Sequence, residues 1–171
     1  MAQGSANYQI SDNKVNIFCT LSWVSSSGQV NFTLEVTNVK FNCSGGAAPG
    51  DGKRYLDLLV DNVQHINHKQ VSETPHGTWQ TGWHDAGGYF IPSTTTFSVA
   101  TKREAYAVTL KNCWSSGEAT KTVTDSLTIN VAPDIRVKTA DGWEAVEEVK
   151  VGGASVETVK VKTADGWEET A

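Results

Sequence analysis

Eight residues occur twice near the C-terminus of this 171-residue chain. Val137-Lys138-Thr139-Ala140-Asp141-Gly142-Trp143-Glu144 returns, at an offset of 24, as Val161-Lys162-Thr163-Ala164-Asp165-Gly166-Trp167-Glu168. A looser copy, Val149-Lys150-Val151-Gly152-Gly153-Ala154-Ser155-Val156, lies midway. The true period is therefore 12, with units starting near Ile135, Glu147 and Val159. Each unit reads as strand, tight turn, strand. Val-Lys-Thr and Val-Lys-Val favour extended backbone, and Asp-Gly or Gly-Gly supplies the positive φ angles that a two-residue hairpin turn needs. Twelve residues cannot bury a core, and an isolated pair of strands is marginal in water. The segment from Asp134 to Ala171 must therefore pack on itself, on the rest of the chain, or on other copies. Trp143 and Trp167, with Val137 and Val161, are the candidate assembly contacts.

Val-Lys-Thr-Ala-Asp-Gly-Trp-Glu units repeated at a C-terminus resemble the short repeats that end many tailed-bacteriophage structural proteins: minor tail proteins, tail fibres and other virion surface proteins. The resemblance covers the last 38 of 171 residues. It implies a non-enzymatic virion structural protein, a minor tail or tail-tip protein supporting assembly and host attachment. A capsid decoration protein or head fibre is the close alternative. The implied partners are other virion proteins and copies of the same chain, and the implied location is the virion surface. Exposed edges of short hairpins are suited to such docking, because their backbone groups can pair with another chain.

The 133 residues before the repeat are enough for a sandwich core. They carry a net charge of −1 and the repeat segment −4. No basic patch is visible, which argues against nucleic-acid binding. The opening Met1-Ala2-Gln3-Gly4-Ser5-Ala6 has neither the basic start nor the apolar run of an export signal, so synthesis and retention in the host cytoplasm until lysis are expected. No apolar run is long enough to insert in a membrane. Cys19, Cys43 and Cys113 are an odd set, which argues against a disulfide framework; Cys19 is expected in the core. Asn31-Phe32-Thr33 and Asn42-Cys43-Ser44 match a glycosylation pattern that matters only in a secreted chain.

Along this first part, Val15, Ile17, Cys19, Leu21 and Trp23 alternate with Asn16, Phe18, Thr20 and Ser22. A period of two places one face on a core. Ser25-Ser26-Ser27-Gly28 is a turn, and Val30, Phe32, Leu34 and Val36 form the return strand. Residues 44–52 read as a loop and 55–60 as a strand. Residues 61–93 look irregular. Further strands are expected over 94–99, from Tyr106 to Cys113, and over 122–131. With no amphipathic helix, the pattern predicts an all-β fold: an immunoglobulin-like or jelly-roll-like β-sandwich over 1–133, followed by the small hairpin repeat over 134–171.

Two clusters could carry chemistry. Trp79, Trp83, His84 and Tyr89 lie close in sequence, and Trp79 and Trp83, four apart, would share a face on a strand. Two such rings beside Gln80, His84 and Asp85 would suit a sugar, whose apolar face stacks while its hydroxyls take hydrogen bonds; on that reading the chain is a carbohydrate-binding module with a host cell-surface glycan as its partner. Alternatively both tryptophans are core, where tryptophan is usually buried; Trp23 and Trp114 are stronger core candidates still. His65, His68, His76 and His84 are competent metal ligands, but His65 and His68, three apart, diverge on a strand. They read as surface residues, and neither a metal site nor a cofactor is expected. Asp57, Asp61, Glu73 and Asp85 could serve glycoside hydrolysis only at a defined separation. No nucleophile-elbow, metalloprotease or phosphate-loop motif appears, so catalysis is not expected.

Overall fold

A computed structural model of the chain describes residues 3–26, 28–47, 49–100 and 105–129 in full, and the backbone of six short strands between 136 and 169. The opening alternation becomes a meander. Strand β1 (Gln3–Ser11) pairs antiparallel with β2 (Val15–Ser26), and β2 with β3 (Gln29–Cys43). Gly4 lies opposite Trp23 on β1, where a Cβ would come within 2.5 Å of the indole. Trp23 thus lies across a bare stretch of backbone and is half-buried, not core as expected.

One residue in β3 has no partner. Phe18 and Cys19 of β2 face Asn38 and Val36, which leaves Thr37 as a β-bulge. An extra residue moves every later side chain to the opposite face. Accordingly Val30, Phe32, Leu34 and Val36 are buried before the bulge, and Val39, Phe41 and Cys43 after it. The bulge lets one 15-residue strand supply two runs of core residues.

The remaining strands are β4 (Arg54–Val60), β5 (Val63–Ser72), β6 (Gly82–Asp85), β7 (Ser93–Ala100), β8 (Ala105–Cys113) and β9 (Ala119–Thr128). β6 and β7 both pair with the far edge of β3, β6 along Lys40–Cys43 and β7 along Gln29–Val36. The second sheet has the order β5-β4-β8-β9, all antiparallel. With β1 and β6 set aside, β2-β3-β7 and β5-β4-β8-β9 follow the A-B-E and C′-C-F-G order of an immunoglobulin-like sandwich. The jelly-roll alternative does not hold, because β1, β2 and β3 lie side by side in one sheet.

The inner faces form one core running from Tyr8 to Ile129. Phe32 of β3 meets Tyr106 of β8 edge-on at 5.7 Å across the sheets and stacks on Phe97 of β7 at 5.4 Å. Tyr8 Oη donates to Asp125 Oδ2 at 2.8 Å, tying β1 to β9 at one margin. At the other, the His65 ring stacks on Phe97 at 4.4 Å, joining β5 to β7. Cys19, Cys43 and Cys113 are all buried with free thiols. Burial pushes the Cys19 thiol up to about 12, and burial with the Asp57 charge lifts Cys113 to about 11.

A buried cation closes one end of the sandwich. The Arg54 side chain is fully buried. Its Nη2 donates to Asp12 Oδ2 at 3.3 Å and its Nη1 to the Lys53 and Asp51 carbonyls, while its guanidinium lies 3.7 Å from the Trp114 ring centroid. Asp12 also accepts from the backbone of Lys14 and Val15 at 2.7 and 2.6 Å, so it shapes the β1–β2 turn. Trp114 is therefore a half-buried lid on Arg54 and not a core residue.

Two further expectations need correction. Residues 61–93 contain a ten-residue strand, β5, entered through Asp61-Asn62, whose φ angles of 50° and 65° make the two-residue turn. In the C-terminal segment, β10 (Arg136–Thr139) pairs with β11 (Gly142–Ala145), β12 (Lys150–Val151) with β13 (Ala154–Ser155), and β14 (Lys160–Thr163) with β15 (Gly166–Glu169). The three ladders repeat in register at the offset of 12. Thr139 pairs with Gly142 and Thr163 with Gly166, so these glycines open the second strands and are not turn residues. Side chains of Val137, Trp143, Val161 and Trp167 lie outside the described residues.

Candidate functional site

The loop joining β5 to β7 carries most of the candidate residues, and backbone bonds fix it to both sheets. Glu73 N–H donates to Tyr89 O, Ile91 N–H to Val71 O, Ala86 N–H to Val39 O and Trp79 N–H to Gly46 O, at 2.8 to 3.0 Å. Strand β6 follows from these anchors. Its register sets His84 opposite Phe41 and Trp83 opposite Asn42. Phe41 is fully buried, so His84 turns inward and Trp83 outward.

That register divides the expected cluster. Trp79, His84 and Tyr89 come together, with Trp79 6.2 Å from Phe41, 6.0 Å from His84 and 6.1 Å from Tyr89, ring centre to ring centre. Each ring has a polar atom already engaged. Trp79 Nε1 donates to His76 O at 2.9 Å, Tyr89 Oη to the same carbonyl at 3.4 Å, and His84 Nε2 lies 2.8 Å from Gln80 O. This group is an aromatic plug that caps the core beside Phe41. Trp79 lies outside the strand, so the expectation that Trp79 and Trp83 share a strand face fails. So does the alternative that both are core: Trp79 is half-buried and Trp83 is 42% exposed.

Trp83 has different company. Asp85, two residues on, shares its face, and β3 contributes Asn42 and Lys40 as their paired residues. Lys40 Nζ is 3.5 Å from Asp85 Oδ1, which also accepts from Asn38 Nδ2 at 2.7 Å. The Asn38 amide and the Lys40 charge hold the Asp85 carboxyl below the usual carboxylate range. Lys40 Nζ also lies 5.9 Å from the Phe18 ring. The result is an exposed indole beside a fixed carboxylate, an ammonium and an amide. Such a set can stack on an apolar ring face and exchange hydrogen bonds with hydroxyls. Lys40 and Asn42 were missed in the sequence. Their outward orientation follows from Phe41 facing inward, but no local pattern says that residues 82–85 pair with them.

The four histidines do not converge. His65 stacks on Phe97, His68 on Tyr55 at 4.0 Å, His76 approaches Tyr89 edge-on and His84 meets Trp79. Among the described residues no three metal-binding side chains form a group. Of the carboxylates considered for hydrolysis, Asp57 accepts the His68 backbone N–H at 2.5 Å, Glu73 accepts from Gln70 at 2.6 Å, and Asp61 accepts the Ala107 N–H at 3.0 Å. Each has a local structural partner. Comparison with protein-family models, with curated proteins and with solved structures gives no match for this chain.

Proposed function

We propose that this chain is a non-enzymatic structural protein of a tailed-phage virion, placed in the tail and serving assembly and host attachment. The observation that carries the reading is the C-terminal repeat: three two-stranded ladders in register at a 12-residue offset. Each ladder is too short to be stable alone in water, so a segment built of them calls for a partner surface. A sequence resemblance to phage structural proteins supplies the context in which such a partner exists.

Multi-angle light scattering on the intact chain and on a version ending at Pro133 tests the assembly role. The expected result is an oligomer for the intact chain and a folded monomer for the shorter one. Immunogold labelling with an antibody to the sandwich tests the location: tailed particles labelled at the tail support it, and unlabelled particles would sink it.

A further inference from the structure

We propose that the outer face of the β1-β2-β3 sheet, with Trp83 as its stacking platform, binds a linear neutral polysaccharide. The inference does not depend on the virion reading. It starts from the orientation of β6, which places Trp83, Asp85, Lys40 and Asn42 together at one end of this face. Toward the other end, side chains of the same face meet in cross-strand pairs. Asn7 and Thr20 are joined at 2.8 Å, Thr33 and Thr96 at 3.2 Å, and Asn31 and Ser98 at 2.6 Å. From Asn42 to Asn31 along β3 the face extends about 35 Å at the usual rise of a strand.

Its chemistry selects the ligand. Besides the Lys40–Asp85 pair, Glu35 is the one charge that the described strands present outward on this sheet. An anionic polymer would find no field to draw it. A protein interface needs a desolvated apolar centre, and here, among the described residues, the large apolar groups are only the exposed Trp83 and Val24 and the half-buried Phe18. A neutral sugar chain asks for little more than this face has: a ring to stack on, and hydroxyls and amides to exchange hydrogen bonds with. Each hydroxyl in the paired rows keeps acceptor capacity after its one internal bond. The pairs are held in place before any ligand arrives, which lowers the ordering cost of binding.

The test uses the full chain and isothermal titration with cellohexaose, chitohexaose, maltohexaose and mannohexaose, with polygalacturonate as the anionic control. At least one neutral hexamer is expected to bind and to shift the tryptophan emission. Trp83→Ala should then weaken binding about tenfold or more, and Thr96→Lys should weaken it as well. His76→Ala, in the aromatic plug, should leave it unchanged. The proposal fails if no neutral hexamer binds at millimolar concentration, if only polygalacturonate binds, or if binding survives Trp83→Ala. It also fails if Trp83→Ala abolishes self-association of the intact chain without any sugar affinity in the parent, because the face would then be a contact between copies. Thr96→Lys keeps the outcome readable should Trp83→Ala disturb β6, since residue 96 lies on a different strand.

Discussion

Asp12 and Arg54 show how one residue can set the conditions under which this sandwich stands. Burial opposes the Asp12 charge, but the backbone N–H groups of Val15 and Lys14, with Arg54 beside them, more than offset it and lower its pKa from the ordinary 3.8. A carboxyl whose folded pKa lies below its unfolded value contributes stability that is fully present above the unfolded value and is lost as pH falls toward the folded one. Acid unfolding should therefore steepen below about pH 4. Asp12→Asn keeps an acceptor for the turn but leaves Arg54 buried without the carboxylate it pairs with, and with only Asp51 as a nearby opposite charge. It should cost about 3 kcal/mol in urea unfolding at neutral pH and flatten the acid limb. Adding Arg54→Met, which removes the stranded charge, should recover most of that loss. If the single and double variants unfold alike, the ion pair is not what holds this end. Neither residue stood out in the sequence: the motif lies in the fold, with the partners 42 positions apart.

At the scale of the element, the strands that could be read are those buried on one face and polar on the other. β2 and the first half of β3 follow period two because water and core take alternate side chains. β5 escaped because it is an edge strand with register irregularities against β4, a positive φ at His68 and three buried residues among ten, Ile66, Val71 and Ser72. The bulge at Thr37 was hidden for a related reason, since a parity change looks like the end of a strand. It yields a sharp test. Deleting Thr37 restores strict alternation, so Val36, Val39, Phe41 and Cys43 all stay inward and the protein should fold with a modest loss. Deleting Thr33, four residues earlier in the same strand, would turn Val30 and Phe32 outward relative to Leu34 and should prevent folding. Circular dichroism melts of the two deletions decide it. The candidate site illustrates the same limit. Aromatic residues near 79–89 were visible, but the split between plug and exposed face depends on which strand β6 joins, and pairing partners far apart in sequence leave no local trace.

For the whole molecule, the first and last strands of the sandwich, β1 and β9, belong to different sheets and meet at the Tyr8–Asp125 contact. The sheets are thereby closed at both margins, here and where His65 covers Phe97. The three thiols sit inside that closure, one each on β2, β3 and β8, and so report on both sheets at once. Thiolate is the reactive form, and a thiol raised to about 11 or 12 is almost entirely protonated at neutral pH even before access is considered. Alkylation in native buffer should therefore proceed only as fast as the sandwich opens. Mass spectrometry should find molecules carrying no label or three, with few carrying one or two; abundant singly labelled chains would mean that one sheet opens without the other. The cysteines act as a clock for breathing: silent while the two sheets stay together, and stopped by three covalent marks at once when they part.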